Sequence, residues 1–152
     1  MFAVIRIRGT VGARKNIEDA LSMLRLNATN NCVLVSETES YKGMIKKVKD
    51  FITWGEIDKT VLVKMLEKRL RLLGNKRVDE KILKEKTKFG SFDSFADALI
   101  KGEARLKDFE KIVPTFRLTP PSKGFKSVKG HYPKGDLGYR GKEINELLER
   151  MI

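Results

Sequence analysis

One histidine and one cysteine stand in this 152-residue sequence, and neither is well placed for catalysis. His131 lies in the basic loop Lys129-Gly130-His131-Tyr132-Pro133. An imidazole acting as a general base needs an orienting acid, and Asp136 is the only carboxylate close by in sequence. A contact to a phosphate or a base suits His131 better. Cys32 opens the apolar run Cys32-Val33-Leu34-Val35 and reads as a small buried hydrophobe with no activating neighbour. Single copies of Cys and His exclude an internal disulfide and a four-ligand Cys/His zinc site. The turn Gly9-Thr10-Val11-Gly12 sits between a strand and a helix, which invites a phosphate-loop reading. Neither GxGxxG nor GxxxxGK[ST] is present, so a nucleotide site is not supported. The same geometry still lets Arg14, Lys15 and the free amides of a helix start hold one backbone phosphate. No catalytic residue, metal ligand, cofactor or small-molecule substrate is expected.

The charge points elsewhere. Lys plus Arg number 32 against 20 Asp plus Glu, a formal charge of +12. Self-repulsion of that size opposes a compact state, and a phosphate backbone relieves it. Segment 114–142 concentrates the signal: it holds all four prolines, five of the 12 glycines and seven basic residues against the single acid Asp136. Phe116, Phe125, Tyr132 and Tyr139 are interleaved with those bases. Lys and Arg release counterions from a phosphate backbone, and aromatic faces stack on unpaired bases. Arg117, Lys123, Phe125, Lys126, Lys129, His131, Tyr132, Lys134, Tyr139 and Arg140 are therefore candidate RNA contacts. With so little apolar surface to hold it, the loop is expected to be mobile when free and ordered on RNA.

These residues need elements to carry them. Ala3-Val4-Ile5-Arg6-Ile7-Arg8 alternates with period two, predicting a strand with Arg6 and Arg8 on one face. Ile17, Ala20, Leu21 and Leu24 form a helical stripe with Asn16 as a candidate cap; Tyr41, Met44, Ile45 and Val48 form a second, capped by Ser40. Cys32–Val35 and Phe51–Trp54 read as further strands. Residues 1–57 thus read β-α-β-α-β, with both helices on one sheet face and Arg6 and Arg8 on a face left uncovered. Residues 58–113 read as a basic helical extension. One helix carries Leu62, Met65, Leu66, Leu70 and Leu73 and ends at Gly74; a short one follows Asp79; another is capped by Ser91 and ended by Gly102. Residues 114–152 form the basic loop and a closing helix with Ile144, Leu147, Leu148 and Met151 on one side. The prolines and glycines of the loop forbid a helix or a central strand there. No run of 18 apolar residues spans a membrane, and MFAVIRIRGT is too short and too charged for a signal peptide.

Particular strings carry a resemblance. AVIRIRG at 3–9, LSMLRLN at 21–27, CVLV at 32–35, YKGMIKKVKDFITWGEID at 41–58 and FRLTPPSKGFKSVKGHYPKGDLGYRGKEINELLERM at 116–151 make the chain resemble the archaeal and eukaryotic form of large-subunit ribosomal protein number thirty, whose eukaryotic counterpart is numbered seven. The resemblance runs nearly end to end. It implies an α+β fold: a ferredoxin-like β-α-β-α-β core with a three-stranded sheet, followed by an extension that bacterial members lack. The long basic N-terminal arm of eukaryotic members is not seen, which implies an archaeal form. It also implies a cytoplasmic place in the large ribosomal subunit, with large-subunit ribosomal RNA and neighbouring ribosomal proteins as partners and no membrane. Under it Arg8, Arg14 and Lys15, the second helix with Lys46, Lys47 and Lys49, and the long loop should meet RNA. Arg6 joins them by its place on the strand, and Arg69, Arg71, Lys76 and Arg77 by charge alone. Two readings of other classes stay open: an RNA-modifying or RNA-processing factor acting outside the ribosome, and a DNA-binding chromosomal protein.

Overall fold

The computed structural model describes residues 1–152. The chain begins β1 (Phe2–Arg6), α1 (Lys15–Met23), β2 (Asn31–Val35), α2 (Glu39–Lys47) and β3 (Ile52–Glu56), in the order the periodicities predict. β1 is central and antiparallel to both neighbours, with Val4 opposite Val33 on one side and Trp54 on the other. The expected caps Asn16 and Ser40 lie inside the first turns; Arg14 and Thr38 take the cap positions without a side-chain bond.

The sheet has five strands, not three, in the order β4-β2-β1-β3-β5. The two additional strands come from the Pro/Gly-rich segment. β4 (Thr115–Arg117) runs antiparallel to β2, and β5 (Gly138–Tyr139) runs parallel to β3. Proline and glycine bar a central strand but not a short edge, and both strands are edges of three and two residues. Gly138 is needed in β5: its φ is +83°, and a Cβ there would come within 2.8 Å of the His131 ring.

Both sheet faces are covered. Val4 and Val33 face α1 and α2, where Leu21, Leu24, Ile45, Val48 and Ile52 complete an apolar cluster. Ala3, Ile5 and Cys32 face the opposite way, into a larger cluster built with α3 (Lys59–Arg69), α5 (Phe92–Lys101) and α6 (Ile144–Met151). Arg6 therefore does not stand on a bare face; it is 5% exposed, on the side that α1 and α2 cover. Strand alternation separates two faces but cannot say how many of them will find helices. Leu62, Met65, Leu66, Phe95 and Leu148 are fully enclosed in the larger cluster, each burial favouring the fold by about 1.5–3 kcal/mol.

α3 stops at Arg69, earlier than the stripe predicts. Leu70 turns extended, and the chain folds into a hairpin in which the Leu72 amide bonds the Lys76 carbonyl across Gly74 at φ +86°. Leu73 is consequently 68% exposed rather than part of the stripe. α4 (Glu80–Lys86) is short and buries only Leu83. α5 begins and ends as its sequence predicts: Ser91 Oγ accepts from the Ser94 amide, and Gly102 closes the helix at φ +79°. Asn145 ties α6 to the far end of β3, donating to the carbonyls of Glu56 (3.0 Å) and Lys142 (2.7 Å) and accepting from the Asp58 amide (2.9 Å).

Candidate nucleic-acid interface

Strand direction gathers the basic segments at one end of the sheet. The C-terminal end of β1 pairs with the start of β3 (Arg6 opposite Ile52), and the end of β4 with the start of β2 (Arg117 opposite Asn31). The β1–α1 loop with Arg14 and Lys15 leaves from this end. The end of α2 and the turn after it deliver Lys46, Lys47 and Lys49 to it, because α2 leads back to the start of β3. The loop 118–137 departs from the end of β4 and returns to the start of β5, so it crosses the same end. Arg14, Lys15, Lys46, Lys47 and Lys49 are exposed, as are Arg117, Lys123, Lys126, Lys129 and Lys134. None is in an ion pair within the protein: the only lysines so engaged are Lys42, Lys59 and Lys64.

The loop has a polar anchor. Asp136 is 1% exposed and accepts from the Lys126 and Ser127 amides, while its other oxygen takes Arg140 Nη2 at 2.6 Å. Burial pushes the Asp136 carboxyl upward, but the Arg140 and backbone hydrogen bonds together with the Arg140 charge outweigh it and hold it below the usual carboxylate range. Gly130 and Gly135 allow the loop to fold back on itself, since a Cβ on Gly135 would overlap the Gly130 carbonyl. Phe125 packs against the larger core. The Ser122 amide bonds the Arg150 carbonyl, which holds the loop to the end of α6. These polar ties add to the little apolar surface by which the loop is held.

Several candidate residues turn out to be occupied within the protein. Arg6 donates to the Leu26 carbonyl (2.7 Å), the Arg8 carbonyl (2.9 Å) and Thr10 Oγ1 (3.3 Å). Burial lowers its pKa, partly offset by Glu18. Arg140 is committed to Asp136, with its guanidinium over the Tyr132 ring at 5.0 Å. The Tyr132 hydroxyl donates to Glu143, and the Tyr139 hydroxyl to Glu56 at 2.6 Å; each bond raises its phenol pKa. The Tyr139 ring nonetheless remains 53% exposed. Arg69 closes on the carbonyls at the end of α6, reaching Ile152 O at 2.8 Å. Arg71, Lys76 and Arg77 belong to the hairpin after α3, which is bonded to Lys111 and Val113 before β4 and so stands apart from the strand-end cluster.

His131 does not meet Asp136. Its Nε2 lies 3.0 Å from Asp50 Oδ1, and Arg8 stacks on Phe51, 5.3 Å from the ring centroid, while donating to the Asp50 carbonyl. Asp50 and Phe51 thus seat both the loop and Arg8, a role the sequence reading missed. A lone acid directly after Lys46, Lys47 and Lys49 was the available signal. Cys32 is fully buried and its thiol is pushed up to about 12, which makes it inert. No group of three or more His, Cys, Asp or Glu side chains is arranged to hold a metal ion, and no helix is long and apolar enough to cross a membrane.

Residues 2–52 match the family described as ribosomal protein L30p/L7e. Over 151 residues, 99% of each chain, the sequence is 47% identical to large ribosomal subunit protein uL30 of Archaeoglobus fulgidus. The chain belongs to the uL30 family. The uL30 proteins of Methanobrevibacter smithii (47% over 153 residues, 100% of each chain) and Methanococcus maripaludis (49% over 154 residues, 99% of each) extend the likeness. The family profile covers β1 to α2 and ends at Ile52, the first residue of β3; the full-length uL30 relatives also span the rest of β3, α3 to α6 and the loop that crosses the basic end.

Proposed function

We propose that this chain is a structural constituent of the large ribosomal subunit that binds ribosomal RNA through the basic end of its sheet. Membership of the uL30 family carries the assignment. It is a ribosomal protein, not an enzyme, and its place is the large subunit. The unpaired bases of the β1–α1 loop, of α2 and of the loop 118–137 supply the phosphate contacts, chiefly through charge and shape. Arg8 and His131, seated on Phe51 and Asp50, supply positioned contacts between them. By function the chain divides at 57 and 113 into an RNA-binding core, a helical extension that covers the second sheet face, and a basic closing segment.

Titration of the protein against large-subunit RNA fragments across a salt series tests this. Each phosphate neutralised contributes about 0.7–0.9 to the slope of log affinity on log salt, so several contacts require a steep decline. An affinity flat with salt, or equal affinity for duplex DNA, would remove the proposal.

A further inference from the structure

β2 is only partly paired along its outer edge. Its register with β4 covers Asn31, Cys32 and Val33. In an antiparallel ladder, successive residues direct their N–H and C=O groups to alternate sides. The Ile57 amide bonds Met1 and the Ile7 amide bonds Phe51, so the odd-numbered residues of β1 face β3. Phe2 and Val4 then face β2 through Val35 and Val33, which leaves Cys32, Leu34 and Ser36 pointing outward. Phe116 takes Cys32. The next residue in register, opposite Leu34, is Pro114, which has no N–H to give. Past Pro114 no strand continues beside β2, and the Leu34 and Ser36 amides make no main-chain hydrogen bond.

A cavity of about 350 Å³ runs along that open edge. Met23, Leu24 and Tyr41 line it from the α1–α2 layer; Leu99, Ile100 and Leu106 line it from the α5 side. Met23 and Ile100 are 69% and 39% exposed, unusual for large apolar side chains. The rim is basic: Arg25, Lys101, Arg105 and Lys107 face one carboxylate, Glu37, which the Met1 ammonium already holds at 2.6 Å. Apolar walls on both sides of a free strand edge fit a strand's alternating side chains, and the rim favours negative flanks. A nucleic acid would leave the apolar walls and the main-chain groups unmatched.

We propose that this groove takes an extended segment of another protein, apolar at its centre and acidic at its flanks, which adds to β2 as a further strand. The rest of the sheet and the basic end are untouched by such binding.

Hydrogen exchange followed by NMR on the full chain tests it, with a synthetic peptide library carrying three apolar residues between pairs of glutamates. The expected result is a saturable complex in which the Leu34 and Ser36 amides exchange at least tenfold more slowly. Ser36→Pro removes an outward donor that the fold leaves unused, so it weakens binding at least tenfold. Reversing Lys101 and Arg105 to glutamate weakens it comparably while leaving the main chain intact, which keeps the test valid if Ser36→Pro misfolds. Three outcomes overturn the proposal: no library member slows these amides; a uridine octamer slows them in place of the peptides; or they slow with protein concentration alone, which marks a second copy.

Discussion

Arg140 and Asp136 form an ion pair at 2.6 Å with side chains only 8% and 2% exposed, one on either side of β5. The carboxylate also collects the Lys126 and Ser127 amides, so one acid fixes both strands of the loop at their base. The single negative charge of the most basic segment is therefore its internal tie and not a catalytic partner for His131.

Asp136→Ala leaves Arg140 buried without its counter-charge, and breaking such a pair costs about 3–5 kcal/mol. The expected outcome is a lower melting temperature and new proteolytic cleavage between residues 123 and 135. An unaltered digestion pattern would show that the loop is held by other means.

The Asp136 carboxyl is depressed in the folded state, so the unfolded chain binds its proton more readily. Its contribution is complete above the ordinary carboxylate pKa of about 4 and is lost as the pH falls through the lower folded value. Exchange of the Lys126 and Ser127 amides is expected to accelerate, after correction for intrinsic rates, as the pH drops below about 4. In Asp136→Asn that acid-dependent step disappears.

Replacing Lys46, Lys47 and Lys49 together by Gln removes three exposed charges without touching the core. The salt slope of RNA affinity is expected to fall by about 2–3 while the melting temperature stays within a few degrees. A slope identical to that of the parent protein would place the RNA elsewhere.

Arg6→Ala is expected to act on stability. It leaves the buried Leu26 carbonyl without its donor at 2.7 Å, a loss of about 1–3 kcal/mol. Chemical denaturation measures this directly, and a salt slope of RNA binding equal to that of the parent protein separates Arg6 from the phosphate contacts.

Leu21→Ala and Ile45→Ala truncate side chains that are 1% and 2% exposed between the sheet and its first helical layer. Each is expected to cost about 2–5 kcal/mol. Unfolding midpoints equal to the parent's would contradict the packing of α1 and α2 against Val4 and Val33.

The stripes of α1, α2, α3, α5 and α6 were legible because helical burial repeats every three to four residues, and each lies inward except at Leu73, which falls beyond the end of α3. Cys32 could be read as buried from its apolar neighbours in the run Cys32–Val35. β4 and β5 could not: two or three residues carry no period, and their partners lie more than 80 positions away. Arg6 misled because charge argues for exposure unless the main-chain acceptors at Leu26 and Arg8 are already known. The ten bases without an ion pair, named from sequence as RNA contacts, are exposed, yet nothing in their spacing revealed that antiparallel pairing would bring them to one end of the sheet. Arg140 and Tyr132, equally basic and aromatic in sequence, are engaged within the protein because Asp136 and Glu143 are within reach.

The sheet's last strand and the helix behind it come late in the chain. β5 closes on Thr53, whose hydroxyl bonds the Gly138 carbonyl, and α6 is pinned to Glu56 and Asp58 through Asn145. These contacts span some 85 to 89 positions. During synthesis the first three strands therefore emerge with one helical layer and an uncovered second face. That face holds Ala3, Ile5 and Cys32, all fully enclosed in the finished protein. Until α3, α5 and α6 have been made, nothing within the chain covers that face, and exposed apolar surface of this kind favours aggregation.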